Sequence, residues 1–251
     1  MKLNIIYNED CFETLRRLPD ASIDLMLTDP PYGITQNDWD KPINLAALWL
    51  EWERVVKPNG AFVFTSQQPF TSDLIISRRG LFRYEIIWYK QLGSGFLNAK
   101  KMPLRNHENI LVFYRQLPTY NPQMKVGKKK TKGRKEPAER SKNSNYGSFK
   151  DLGLHTNDIY YPESVIDFTN GDRTSESDHP TQKPVDLFRY LIRTYSNSGD
   201  TVFDGYMGSG TTAVACYKEG RNYIGSELNP DYYNKAADRL LILKQSPELF
   251  L

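Results

Sequence analysis

A strand, a glycine-rich turn and the start of a helix follow one another in TVFDGYMGSGTT, residues 201–212. Glycines let a backbone approach a ligand closely, and the N–H groups at a helix start attract electron-rich groups. The spacing is neither that of a phosphate loop nor that of a dinucleotide fingerprint. A second strand, NYIGSE (222–227), ends at Glu227, and an acid at that place is suited to binding ribose hydroxyls. The segment therefore indicates half of a nucleotide-type site. The alternative is a glycine turn needed for packing, with a solvated Glu.

Strand-like and helix-like segments alternate outward from this segment. The predicted strands are residues 3–7, 23–28, 61–66, 84–89, 109–114, 201–204 and 222–227. The predicted helices are about 11–18, 44–56, 69–78, 184–195, 211–220 and 229–244. Such alternation predicts an α/β fold with a mostly parallel sheet that helices cover on both faces. Because no helix separates 84–89 from 109–114, we expect these two strands to pair antiparallel at a sheet edge.

The motif Asp29-Pro30-Pro31-Tyr32 directly follows the apolar strand 23–28, so we expect it at that strand's carboxyl end. Two prolines stiffen a loop and remove two N–H donors, which leaves carbonyl oxygens free to accept. Asp29 and the Pro30 carbonyl can each accept one hydrogen of an exocyclic amine, while Tyr32 stacks on a flat heterocycle. Two acceptors also stabilise the positive charge that develops when such an amine attacks. The alternative is a structural Pro-Pro turn with a capping Asp.

Composition excludes several classes of protein. The 251 residues contain no run of 18 apolar residues, so no membrane-spanning helix is expected, and the N-terminus shows no signal segment. Two cysteines, Cys11 and Cys216, cannot build a disulfide framework, suit a reducing cytoplasm and are expected to face the core. The three histidines lie far apart in the chain, so no metal site is predicted.

Charge is concentrated in one block. The net charge is +3, but residues 125–142 hold nine Lys or Arg against two Glu, a net +7, so the rest of the chain carries −4. This block lies within a polar stretch, 117–178, where the alternation of strands and helices breaks down. So long a stretch in a compact domain is either a functional insertion or a partly disordered segment. A basic island on an acidic body favours a polyanionic partner; the alternative is a solvated basic loop.

Taken together, the motifs resemble those of the S-adenosylmethionine-dependent amino-methyltransferases of DNA, which methylate adenine N6 or cytosine N4. The resemblance rests on DPPY (29–32), FDGYMGSGTT (203–212), Glu227 with NPDY (229–232), and HPTQKP (179–184). Their order resembles the β group of that family, whose sheet is circularly permuted. The resemblance implies a Rossmann-like methyltransferase fold divided into a catalytic half (1–116), a target-recognition insertion (117–178) and a cofactor-binding half (179–251).

The resemblance also implies roles for individual residues. The catalytic loop that holds the target base would be Asp29, Pro30, Pro31 and Tyr32. The residues that would bind S-adenosylmethionine are Asp10, Cys11, Thr181, Gln182, Lys183, Asp204, Gly208, Ser209, Gly210, Thr211, Thr212, Glu227 and Asn229. Within that set, Asp10 and Cys11 would contact its adenine, Glu227 its ribose, and Thr181 to Lys183 its carboxylate. Phosphate contacts would come from Lys128, Lys129, Lys130, Lys132, Arg134 and Lys135.

The implied activity is methyl transfer to the N6 amine of an adenine flipped out of double-stranded DNA, by in-line displacement and without metal or covalent intermediate. Asp-Pro-Pro-Tyr is commoner in the adenine methylators of the family. The alternatives are cytosine N4 methylation, an RNA or protein amide substrate, and an inactive DNA-binding homologue. A homodimer and a cognate restriction endonuclease are further expected partners. The stretch Gln91 to Arg105, with Lys100 and Lys101, is a second candidate for DNA contact. One departure is Asp204-Gly205-Tyr206 where the family usually has Asp-Pro-Phe, which predicts a looser turn.

Overall fold

The structure is a computed structural model that describes residues 1–33, 43–132, 141–143, 147–149, 155–169 and 182–245. Its strands are β1 (Ile5–Tyr7), β2 (Ile23–Thr28), β3 (Val56–Ser66), β4 (Phe82–Ser94), β5 (Arg105–Tyr114), β6 (Lys125–Lys132), β7 (Ser141–Asn143), β8 (Gly147–Phe149), β9 (His155–Tyr160), β10 (Val165–Asp167), β11 (Thr201–Asp204) and β12 (Asn222–Ser226). Its helices are α1 (Cys11–Arg17), α2 (Leu45–Val55), α3 (Phe70–Ser77), α4 (Val185–Tyr195), α5 (Thr211–Lys218) and α6 (Pro230–Gln245). Within the described residues no helix is long and apolar enough to cross a membrane.

Eight strands form one sheet in the order β1-β12-β11-β2-β3-β5-β4-β10. The pairings β1–β12, β12–β11, β11–β2, β2–β3 and β4–β10 are parallel, and β5 is antiparallel to both of its neighbours. Seven strands therefore run in one direction. The predicted mostly parallel sheet with its antiparallel hairpin is confirmed. The hairpin is not itself the sheet edge, however, because β10 pairs with the outer side of β4.

Alternation along the buried strands explains why helices cover both faces. On β2, Leu25 and Leu27 belong to one hydrophobic cluster, whereas Met26 belongs to a second cluster on the opposite face. The first cluster is completed by α4, α5 and α6, and the second by α1, α2 and α3. Successive side chains of a strand point to opposite faces of the sheet, so a strand with apolar side chains on both faces must be covered on both sides. Cys11 and Cys216 are both buried, as predicted.

Acidic side chains follow four adjacent strands at the point where each strand ends. Asp10 follows β1, Glu227 follows β12, Asp204 ends β11 and Asp29 follows β2. These strands are parallel neighbours, so their carboxyl ends meet at one edge of the sheet. Ligands of open α/β sheets bind at that edge. The fold therefore gathers four carboxylates from sequence positions that lie up to 217 residues apart.

The chain divides into two compact units, 1–121 with 164–251, and 122–163. The smaller unit contains two antiparallel two-stranded sheets, β6–β9 and β7–β8. Residues 165–167, which fall in the stretch predicted as an insertion, form β10 of the large sheet instead. A strand of three residues with a single buried side chain, Ile166, gives too short a pattern to be recognised in a polar sequence. The functional division at 117–178, and the circular permutation of the sheet, stay predictions.

Candidate functional site

A cavity of about 610 Å³ opens at the carboxyl edge of the sheet. Most of the residues predicted to bind the cofactor or to carry catalysis line it, and these are Asp10, Cys11, Asp29, Pro31, Gln182, Lys183, Asp204, Gly208, Ser209, Thr211, Thr212, Glu227 and Asn229. Pro30, Tyr32 and Gly210 do not line the cavity, and Thr181 lies outside the described residues. Sequence reasoning missed apolar residues of the wall, Phe12, Leu48, Phe188, Met207 and Leu228.

Asp204 is a buried carboxylate beneath the glycine turn. Its oxygens accept hydrogen bonds from the Thr28 hydroxyl at 2.6 Å, from the Thr212 hydroxyl, and from the Tyr206 N–H at 3.0 Å. These bonds join β2, β11 and the first turn of α5. Burial raises the pKa of Asp204 to about 6, despite the three donors that favour its ionised form. The carboxylate therefore shapes the turn, in addition to its place on the cavity wall.

This shift makes the stability of the protein depend on pH through Asp204. Because the folded pKa exceeds the unfolded value of 3.8, the folded state binds the proton more tightly, and stability is lost as pH rises from about 4 through about 6. We expect Asp204→Asn to abolish this loss. From pH 4 to pH 7 the unfolding free energy of the variant should gain about 2 kcal/mol relative to the wild type. Urea unfolding of both proteins at pH 4 and pH 7 measures these free energies. An equal loss of unfolding free energy in the variant and the wild type would contradict the prediction.

The glycine turn is held by hydrogen bonds within the protein. The N–H of Gly208 donates to Glu227 Oε2 at 2.7 Å, and the N–H of Gly210 donates to the Met207 carbonyl at 2.9 Å. These two N–H groups, expected to face a ligand, are therefore already bonded. The Ser226 hydroxyl donates to the Gly205 carbonyl at 3.1 Å. The looser turn expected from Gly205 in place of proline stays a prediction. A Cβ on Gly205 would lie 3.1 Å from the Cys11 Cβ, so a larger residue there would require a small shift of Cys11.

Gly210 caps α5 and packs against α6 rather than facing the cavity. Its φ is +84°, and a Cβ at this position would lie 2.9 Å from the Ala236 Cβ. We expect Gly210→Ala to lower the unfolding free energy by at least about 1–2 kcal/mol, the cost of the left-handed conformation alone. Gly80→Ala is the matched control, because nothing lies within 4 Å of a Cβ there. Equal unfolding curves for the two variants would contradict this prediction.

Glu227 and Asn229 connect β12 to α6 at the far wall of the cavity. Glu227 Oε1 accepts from the Asn229 N–H at 2.8 Å, and the Asn229 side chain caps α6 by accepting from the Asp231 N–H at 2.8 Å. Burial raises the pKa of Glu227, against the backbone N–H groups that lower it. Asp10 is the corresponding cap of α1, with its Oδ1 accepting from the Phe12 N–H at 2.9 Å. Asp10 and Glu227 each keep carboxylate lone pairs that these hydrogen bonds do not use and that can accept from a ligand.

The Asp29 carboxylate is the centre of a second cluster. Oδ1 accepts from the Tyr32 hydroxyl at 2.6 Å and from the Thr65 hydroxyl, and Oδ2 lies 2.8 Å from Lys183 Nζ. The Tyr32 ring stacks on Phe70, with 5.4 Å between centroids and 22° between planes. Burial and the Asp29 charge raise the pKa of Tyr32, so its hydroxyl stays a donor. A carboxylate has about four acceptor positions, so three of them are occupied and one is left for a substrate amine.

Lys183 lies between two carboxylates. Besides Asp29, its ammonium is 3.4 Å from Glu108 Oε2, while Glu108 Oε1 pairs with Lys90. Lys183 is about nine-tenths buried, and both carboxylates raise its pKa above the usual range against the effect of burial. Sequence reasoning assigned Lys183 to the cofactor carboxylate and missed Glu108, Lys90 and Thr65. Two features of the sequence could have indicated them. Glu108 directly precedes the apolar strand 109–114, and Thr65 is a polar residue near the end of an apolar strand.

The predicted phosphate contacts lie in the smaller unit. Lys128, Lys129 and Lys130 are exposed on β6, which pairs with β9 through Lys130 and Asn157. Lys132 ends β6, whereas Arg134 and Lys135 lie outside the described residues. Asn157 bonds to the Ile159 backbone in its own strand.

Comparisons with known proteins also point to DNA methyltransferases. A family model described as DNA methylase, of the N6 and N4 type, matches residues 23–238. The type II methyltransferase M1.MboII of Moraxella bovis is 29% identical over 94% of this chain and 96% of its own length. The DNA adenine methyltransferase YhdJ of Escherichia coli (strain K12) is 29% identical over 94% and 82%. A solved structure of an M1.HpyAVI–SAM complex superposes with a TM-score of 0.65 at 24% identity over 94% and 98% of the two chains. The match over most of the chain, together with a sheet whose carboxyl edge carries both predicted motifs, shows that this protein belongs to the N6/N4 DNA methylase family.

Proposed function

We propose that the protein transfers a methyl group from S-adenosylmethionine to the exocyclic N6 amine of an adenine flipped out of double-stranded DNA. The observation that carries the proposal is that Asp29 lies on the wall of the same cavity as the glycine turn and Glu227. The group to be methylated and the methyl donor must meet at one place, and here the predicted binding residues for both share one cavity.

The cavity suits the proposed cofactor in size and charge. A volume of about 610 Å³ is within the usual range of 300–1,000 Å³ for small-molecule sites. Among the residues that the structure describes, the charged lining consists of five carboxylates, from Glu9, Asp10, Asp29, Asp204 and Glu227, and one ammonium, that of Lys183. Such a lining favours a ligand that carries positive charge, and the bound cofactor supplies a methyl group on a cationic sulfur. Glu227 and Asp10 would hold its ribose and adenine ends, with Ser209, Thr211 and Thr212 at the other end.

The residues around Asp29 would prepare the amine for attack. The remaining acceptor position of Asp29 and the Pro30 carbonyl can each take one amine hydrogen, which directs the nitrogen lone pair away from the protein wall. Positive charge then develops on the nitrogen beside a carboxylate that Thr65, Tyr32 and Lys183 already hold in place. Fixed acceptors of this kind stabilise the transition state because they need no reorganisation. We infer that Lys183 prevents Asp29 from turning towards bulk water when no base is bound.

Adenine is the proposed target, rather than cytosine, because the loop begins with Asp29, the residue commoner in adenine methylators. The 29% identity to a protein named as a DNA adenine methyltransferase supports the same choice. The exposed lysines of β6, together with Lys132, Arg134 and Lys135, would contact phosphates and give salt-dependent affinity without sequence choice. Cytoplasmic location, a homodimer and a cognate restriction endonuclease belong to the proposal.

Expression of the chain in a bacterial host without adenine methylation tests this function. Genomic DNA is digested to nucleosides, and the modified positions are mapped by sequencing, with Asp29→Ala as the inactive control. N6-methyladenine at a defined sequence, absent in the control, is the expected result. N4-methylcytosine would overturn the choice of base. Label transferred only to RNA or protein, or no transfer despite cofactor binding, would overturn DNA methylation.

A further inference from the structure

The tip of the β4–β5 hairpin, residues 91–105, exposes large apolar side chains that the catalytic site does not use. Leu97 is 84% exposed, Leu92 81% and Phe96 75%, and Met102 is also exposed. A contiguous patch of large, exposed apolar side chains often marks a surface that binds another molecule. The tip therefore has the character of an interaction surface.

The tip is a folded turn rather than a loose loop. Gly95 begins a 3₁₀ turn, Phe96–Asn98, and the N–H groups of Asn98 and Ala99 donate to the carbonyls of Gly95 and Phe96 at 2.9 and 3.0 Å. At its base the Ser94 hydroxyl donates to the Arg105 carbonyl at 3.0 Å. A turn held in this way presents Phe96 and Leu97 in a fixed direction, which lowers the entropic cost of binding.

The charge around the tip favours a polyanion as its partner. Lys100 and Lys101 are exposed beside the apolar side chains, and no Asp or Glu occurs from residue 86 to residue 107. A second copy of the chain fits less well. A two-fold contact between two tips would bring four lysines together, and like charges oppose such a contact.

The hairpin also starts at the catalytic cluster. β4 runs in the same direction as β2, so its last residue, Ser94, lies at the edge of the sheet that carries Asp29. Lys90 pairs with Glu108 at the base of the hairpin, and Lys183 lies between Glu108 and Asp29. Phe96 lies six positions beyond Lys90, at most about 20 Å of extended chain.

Resting on the proposed function, we propose that the hairpin tip enters the DNA at the target base pair. Phe96 and Leu97 fill the gap in the base stack that the flipped adenine leaves, and Lys100 and Lys101 contact the flanking phosphates. Flipping a base costs a few kcal/mol of stacking and pairing. Apolar side chains inserted between base steps offset that cost, because they replace the lost stacking contact and are themselves removed from water.

The test compares Phe96→Ala/Leu97→Ala with a matched control, Leu50→Ala/Ile76→Ala, whose side chains are equally exposed on α2 and α3. Two duplexes contain the sequence that the enzyme methylates. In one the target base is paired, and in the other it lies opposite an abasic position. Each duplex is made in two versions: 2-aminopurine at the target position reports unstacking by fluorescence, and adenine at the target position is used for single-turnover methylation. We expect the tip variant to lose about tenfold or more in binding and fluorescence on the paired duplex, but less than threefold on the unpaired one. The control variant should match the wild type on both.

Equal losses of binding on the two duplexes, or no loss on either, would overturn the proposal that Phe96 and Leu97 fill the gap in the base stack. A change of oligomeric state in sedimentation that accompanies the loss would also overturn it, in favour of a contact between copies. Fluorescence is read without methylation. An enzyme that unstacks the base but never methylates it would therefore contradict the proposed activity, while the proposed insertion of Phe96 and Leu97 would remain supported.

Discussion

Replacing Asp29 with Asn is expected to lower the rate of methyl transfer by about 10²–10³-fold, the usual effect of losing one group that stabilises transition-state charge. Asn keeps the size of the side chain, but it replaces one acceptor oxygen with an NH₂ donor. That NH₂ would meet other donors, since Tyr32, Thr65 and Lys183 all direct hydrogens at the carboxylate. The remaining oxygen would then be taken by these groups, and no charged acceptor would be left for the amine.

Single-turnover transfer of a labelled methyl group measures the effect, and calorimetric titration measures cofactor binding. We expect cofactor affinity to stay within about threefold of the wild type, because Glu227, Asp10 and the glycine turn are untouched. Asp186→Asn, an exposed carboxylate on α4, is the control and should leave both quantities unchanged. A fully active Asp29→Asn variant would show that the loop serves only as a structural turn.

Replacing Lys183 with Met is expected to lower the free energy of unfolding by about 3–5 kcal/mol, the usual cost of removing one partner from a buried ion pair. Asp29 and Glu108 would be left close together without the cation between them. The raised pKa of Lys183 means that its contribution is fully present below the unfolded pKa of the side chain, near 10.4. Measurements at pH 7 to 8 therefore report the whole effect.

Urea unfolding, extrapolated linearly to water, gives the change. Lys57→Met is the matched control, because Lys57 pairs with Asp24 at a side-chain exposure of 39% and should cost less than about 1 kcal/mol. Adding Glu108→Gln to Lys183→Met should cost less than the sum of the two single changes, since the removed charges face each other. Additive losses would show that Glu108 and Lys183 do not interact.

The gathering of acids at one edge could be predicted from the sequence, whereas the pairing around Asp29 could not. A short apolar strand followed by Asp29, and another ended by Asp204, suffice to place both side chains once the strands are known to be parallel. Nothing in the spacing joins Lys183 to Asp29 or to Glu108, because the contact depends on how α4 and β5 approach the end of β2. The same limit applies to Gly210, whose closest neighbour, Ala236, is 26 residues further along the chain. Contacts between elements require the packing itself.

The order of strands in the large sheet has a consequence for synthesis of the protein. β1 and β2 are close in the chain, but β12 and β11 separate them in the sheet. A growing chain that has reached residue 195 therefore holds both outer parts of the sheet with a gap two strands wide between them. Pairings of such long sequence separation form late and slow folding. Asp204 and Glu227 join Asp10 and Asp29 at this edge only once residue 227 has been made, so a chain that is cut short before β11 lacks two of these four carboxylates of the cavity.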